Sequence, residues 1–230
     1  MTDIQLYARE AGAGEPLILL HGNGESGDYF AAQLAHFSAR YRVIAVDTRG
    51  HGRSPRGTAP FTFGQFAEDL AAFLDARSIE RAHILGFSDG ASIAMEFALR
   101  WPARVGRLIL NGANLNPRGV KLSVQAPIVL GYALVSLIAL FDKKAIPKKE
   151  ILGLMVTQPN ITTAQLAALT MPALVLVGKR DMIRDAHSVM IADALSNGRL
   201  VRLDGTHFIA AEASEAFNHA VEAFLDEEKA

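Results

Sequence analysis

Residues 82–102 read Ala82-His83-Ile84-Leu85-Gly86-Phe87-Ser88-Asp89-Gly90-Ala91, followed by Ser92 to Arg100 and then Trp101-Pro102. The first four residues are apolar or β-branched enough for a buried strand, and Ala94, Phe97, Ala98 and Trp101 recur at helical spacing until Pro102 stops the pattern. Between them lies Gly86-Phe87-Ser88-Asp89-Gly90, a G-x-S-x-G turn from strand to helix. Such a turn holds its serine in a sharp bend with Oγ projecting, and it needs small residues nearby, which Gly86, Gly90 and Ala91 supply. A glycine-rich βα turn with an incidental N-cap serine would look similar, so the surroundings must decide.

Outward from this turn, short apolar runs recur at Leu17–Leu20, Val43–Val46, Leu108–Leu110, Leu174–Val177 and Leu200–Leu203, with helical stretches between them. That alternation predicts an α/β fold, a mostly parallel sheet flanked by helices. Ile4–Glu10 is expected to be an antiparallel edge strand that turns through Gly12, Ala13 and Gly14 into the first buried strand. The interval from Asn111 to Ala173 is far longer than a crossover needs. It predicts a core of residues 1–112 and 171–230 with a small helical lid inserted at 113–170.

Within the insertion, Leu122 to Phe141 runs without a charge for about 20 residues, the length of a bilayer span. Pro127, Gly131, Ser123, Gln125 and Ser136 interrupt it, and a single crossing would separate strands that share one sheet. The segment is therefore expected to be an apolar lid helix or helix pair over a pocket, with Leu134 and Leu137 facing a ligand. Shallow membrane contact, helped by Lys143, Lys144, Lys148 and Lys149, is the second reading.

The chain has 230 residues, 50% hydrophobic and 20% charged, the balance of a chain that buries a core. A net charge of −1 offers no field for a phosphate backbone, so nucleic acid is not an expected partner. The absence of cysteine excludes disulfides, thiolate nucleophiles and Cys-ligated zinc or iron–sulfur centres. Asp3 and the lack of an apolar stretch in MTDIQLYAREAGAG disfavour a signal peptide, and a cytoplasmic location is expected. No feature specifies an oligomeric state, and neither a metal nor a cofactor is expected.

A serine attacks only when a base takes its proton. His207 in Asp204-Gly205-Thr206-His207-Phe208 follows a strand and falls at the same sheet edge as the serine turn. His187 and His219 lie in helix-like stretches and fit ordinary surface roles. Asp181 follows the strand Leu174–Val177 and is the expected partner that orients the imidazole, ahead of Asp185, which suits a helix start. His21-Gly22-Asn23-Gly24 follows Leu17–Leu20, and the backbone N–H groups of Asn23 and Asp89 together would form an oxyanion hole. His21 itself is expected to bond loop backbone.

With these five segments in view, the chain resembles the α/β-hydrolase-fold serine hydrolases over nearly its whole length. The family pattern reads here as HGNG, DTRGHGRS (Asp47 to Ser54), GFSDG, GKRD and GTHF. The resemblance implies a lidded esterase with Ser88 as nucleophile, His207 as base and Asp181 as orienting acid, while Arg49, Gly50, His51 and Gly52 fix a loop. A serine rather than an aspartate at the elbow sets it apart from haloalkane dehalogenases and epoxide hydrolases. The implied substrate is a small carboxylic ester, extending to lactones, thioesters or amino-acid esters. Related activities in the family are C–C bond hydrolysis, cofactor-free perhydrolysis and ligand reception without turnover. Glu25 and Asp89 flank the expected oxyanion groups and favour a positively charged substrate. The Ser-Asp-Gly elbow is similar to that of amino-acid-ester hydrolases, although Phe87 stands where that branch commonly has Trp.

Overall fold

The computed structural model describes residues 3–227. Seven strands form one sheet: β1 (Ala8–Ala11), β2 (Pro16–Leu20), β3 (Arg42–Val46), β4 (Ala82–Phe87), β5 (Val105–Asn111), β6 (Ala173–Gly178) and β7 (Gly198–Leu203). Their order across the sheet is β1-β3-β2-β4-β5-β6-β7, and every pairing is parallel except β1 with β3.

The helices are α1 (Ala31–Phe37), α2 (Phe63–Ala76), α3 (Asp89–Arg100), α4 (Leu122–Ile138), α5 (Ile146–Thr157), α6 (Thr163–Ala167), α7 (Asp185–Ala194), α8 (Ile209–Glu212) and α9 (Ser214–Leu225). Alternation along β2 divides the core in two. Ile18 and Leu20 join the cluster that holds α2, α3 and α7, whereas Leu17 and Leu19 join the one that holds α1 and α9. Both faces of the inner strands are thus covered, as their unbroken apolar runs require.

The first strand departs from expectation. It begins at Ala8 rather than Ile4, and it pairs with β3, Ala8 opposite Val46, instead of with β2. β2 lies between β3 and β4, so no edge of it is free for a hairpin partner. The half-exposed β1 suits the sheet margin. Residues before it serve the neighbouring loop: Tyr7 N donates to Ser54 Oγ, and Tyr7 O accepts from Asp47 N.

Between β5 and β6 the chain leaves the sheet through α4 and α5, then returns through α6. Leu166 of α6 belongs to the main core cluster. The α4–α5 pair reaches the loops at the strands' C-terminal ends. Asn23 Nδ2 donates to Ile151 O, Phe63 N to Gln158 Oε1, and Arg56 pairs with Glu150 at 2.5 Å. No helix among the described residues is long and apolar enough to cross a membrane.

Candidate active site

The turn from β4 to α3 places Ser88 at φ 53°, ψ −116°, a left-handed conformation rare for a residue with a side chain. Two glycines make the bend feasible. A Cβ on Gly86 would stand 2.3 Å from Gly90 O, and one on Gly90 would stand 2.0 Å from Leu20 O, so the elbow packs backbone on backbone. Ser88 N donates to Asn111 O at 2.8 Å, which ties the bend to the end of β5.

His207 follows β7 and is buried. Its Nδ1 lies 2.7 Å from Asp181 Oδ1, and the same oxygen accepts from Ile183 N at 2.8 Å. Asp181 follows β6 and is also buried, with its second oxygen unpartnered. Lys121 Nζ donates to Asp181 O at 2.5 Å and so pins this loop to the start of α4. Nδ1 thus faces a carboxylate, leaving Nε2 as the nitrogen open to a proton donor. Nε2 is buried and without a hydrogen-bond partner, Ser88 Oγ included. Catalytic hydrogen bonds of this kind are often long without substrate and tighten in the complex.

The loop after β2 supplies the second wall. The N–H groups of Asn23 and Asp89 meet no protein acceptor among the described residues. The Asn23 side chain donates to Asp89 Oδ2 at 2.7 Å and to Ile151 O at 3.0 Å, joining this loop to the elbow and to α5. Glu25 Oε2 accepts from Gly22 N at 3.2 Å. Burial pushes the Glu25 carboxyl up against the pull of the Gly22 N–H and of His207, and Asp89 up to about 6 against that of the Asn23 amide and of His207.

Phe87 is buried, 4.9 Å from the His207 ring and stacked on Tyr29 at 4.5 Å. Leu134 and Leu137 are each 58% exposed on α4 in this conformation. His21 bonds Gly22 O through Nδ1 at 2.7 Å and accepts from Thr48 N through Nε2 at 3.0 Å, a loop-holding role. Desolvation lowers its pKa to about 4 and keeps it neutral. In the run Asp47 to Ser54, Asp47 accepts from Gly27 N and Arg53 N at 2.7 Å each, and Arg49 forms a buried fork with Asp69. Asp185 opens α7 and pairs with Arg202 on the surface. His187 accepts from Leu115 N at 3.0 Å, and His219 is mostly exposed.

Three contributions escaped sequence reasoning: the Tyr29 ring beneath Phe87, the Asn23 amide as a connector, and Lys121 on the Asp181 carbonyl. The first had a weak signal in the aromatic Tyr29-Phe30 pair, and the other two depend on contacts between distant segments.

Residues 15–133 match the family model described as alpha/beta hydrolase fold. The chain belongs to the alpha/beta hydrolase fold family. Among relatives of this family, it is 29% identical over 255 residues to the protein named "Putative carbamate hydrolase RutD" of Azorhizobium caulinodans, covering 98% of this chain and 96% of that one. It is 34% identical over 173 residues to 2-hydroxy-6-oxo-6-phenylhexa-2,4-dienoate hydrolase of Comamonas testosteroni, covering 70% and 57% of the two chains. The enol-lactonase of Burkholderia xenovorans LB400 has the same alpha/beta hydrolase fold, with a TM-score of 0.82, 23% identity and 97% of each chain covered.

Proposed function

We propose that this chain is a serine hydrolase of small carboxylic esters and lactones that works through a seryl acyl-enzyme. The observation that carries the reading is the 2.7 Å contact between His207 Nδ1 and Asp181 Oδ1, which leaves a buried, unpartnered Nε2 at the sheet edge where Ser88 emerges.

In this mechanism Ser88 Oγ attacks the substrate carbonyl carbon as His207 Nε2 takes the hydroxyl proton. The tetrahedral oxyanion sits against the N–H groups of Asn23 and Asp89, fixed dipoles that no protein acceptor occupies. Collapse expels the alcohol, which receives the proton from His207. A water then repeats the sequence on the acyl-enzyme, releasing the acid and restoring Ser88. Asp181 holds the imidazole tautomer and stabilises its cation throughout. Residues 113–170 act as a lid that selects the acyl chain.

The deciding experiment is a panel of p-nitrophenyl esters, γ-lactones and aryl carbamates assayed with native protein and Ser88→Ala. Turnover of at least one class that disappears in the variant supports the reading. Turnover that survives in Ser88→Ala would sink it, as would binding of panel members without any turnover by native protein, the mark of a receptor. The likeness to the dienoate hydrolase favours a second reading, hydrolysis of a C–C bond in a dienoate, and such a substrate belongs on the same panel.

A further inference from the structure

Helix α4 is apolar on both its inward and its outward side. Inward it carries Val135 and Gln125, both buried, with Ile128, Tyr132 and Ser136 half-buried, and the Oε1 of Gln125 and the hydroxyl of Ser136 are buried without partners. Its outward stripe carries Leu122, Val129, Leu130, Leu134, Leu137 and Ile138, at i, i+3, i+4 and i+7 spacings, and continues into Leu140 and Phe141. Leu130 is 72% exposed and Phe141 88%. A surface helix ordinarily turns a polar face to water, and an exposed apolar stripe of this length marks a binding surface.

Basic charge borders one end of the stripe. Lys143, Lys144, Lys148 and Lys149 follow within the next turn and the start of α5, and none of them forms an ion pair among the described residues. The nearby acids are committed: Asp142 caps the turn through Lys144 N, and Glu150 pairs with Arg56. A second copy of the chain would offer the apolar stripe a partner, but its matching patch brings the same lysines and no free carboxylate to meet them. Anionic lipid headgroups satisfy both features at once.

We propose that α4 lies flat in the interfacial layer of an anionic membrane, with its leucine stripe among the acyl chains and the four lysines on the headgroups. A 17-residue helix is about 25 Å long, enough for a broad footprint along the surface. This surface does not depend on the catalytic reading of Ser88.

The test is co-sedimentation of the full chain with sucrose-loaded vesicles, either phosphatidylcholine alone or phosphatidylcholine with one-third phosphatidylserine. Native protein should pellet with the anionic vesicles, much less with the neutral ones, and return to the supernatant in high salt. Replacing all four lysines by Gln should weaken partition by about a hundredfold or more. Leu130→Ser with Phe141→Ser should also abolish pelleting, and thermal melts of both variants should match native protein because every altered side chain is on the surface. A Leu130→Trp variant should show a blue-shifted emission with anionic vesicles. The proposal fails if native protein stays in the supernatant, if neutral and anionic vesicles bind equally, or if the lysine variant binds like native. It fails equally if sedimentation equilibrium finds a dimer that Leu130→Ser dissociates while vesicles bind nothing.

Discussion

The side-chain amide of Asn23 donates to the Asp89 carboxylate at 2.7 Å, across 66 residues of sequence, and to the Ile151 carbonyl of α5 at 3.0 Å. One planar group therefore sets the spacing between the two backbone N–H groups assigned to the oxyanion and ties that spacing to the α4–α5 excursion. Replacing Asn23 by Ala keeps its backbone N–H but frees the loop. We expect kcat/KM to fall by about 10- to 100-fold, a loss smaller than that from removing an oxyanion donor outright.

A fluorophosphonate should label the native chain at Ser88 in a one-to-one ratio, because only a serine beside a base and an oxyanion site reacts quickly. Peptide mass mapping checks the position. Label on Ser26 or Ser54 would contradict the assignment of the elbow.

Asp181→Asn should lower kcat by about 10⁴ by presenting the wrong tautomer of His207. Asp185→Asn should leave turnover near native, since its carboxylate is spent on Arg202 at the surface. Steady-state kinetics of the pair distinguishes the two acids, and the opposite ranking would refute the assignment.

Asp89 gives a prediction with a defined sign. Its carboxyl is raised from 3.8 to about 6 by burial, so between those values the folded chain holds a proton that the unfolded chain has released. Stability from this group falls as pH rises through that window, and the cost is complete above it. Asp89→Asn should therefore exceed native protein in stability by about 1–3 kcal/mol near pH 7.5, a difference that closes toward pH 4. Urea midpoints at the two pH values measure it. The same variant tests substrate charge: native enzyme should prefer an α-amino ester over its des-amino analogue, and Asp89→Asn should lose the preference.

Asp69→Ala should destabilise the fold by about 1–3 kcal/mol, because it removes two 2.7 Å charge-assisted bonds from the buried Arg49 guanidinium, which keeps Asp3 and the Arg56 carbonyl as partners. Denaturant unfolding checks the size of the loss, and a change below about 1 kcal/mol would show that Arg49 has been resatisfied elsewhere.

Much of this was legible because the relevant chemistry is local. The strand, bend and helix around Ser88 are written within one stretch, and Asp181 and His207 each stand a few residues past an apolar run. The partner of β1 was not legible, because apolar alternation marks a strand without saying which neighbour it takes, and β2 had both edges filled by parallel strands. The outward face of α4 was hidden for a related reason. A segment apolar all round has no polar stripe to reveal which side meets water, so Leu134 and Leu137 could be expected to face inward. The Asn23–Ile151 bond spans two segments that only the finished fold brings together.

The sheet order has a temporal consequence. Ser88, Asp181 and His207 leave three different strands, and β6 and β7 are the last of the seven to emerge during synthesis. A chain on the ribosome can close its β2–β4 centre long before the strands that carry Asp181 and His207 exist. During refolding, emission from the sole tryptophan, Trp101, reports on α3, where its ring lies 5.2 Å from Phe97. On the proposed mechanism, regain of hydrolysis can match that optical signal in time but never precede completion of the β6–β7 edge, which makes turnover the stricter clock of folding.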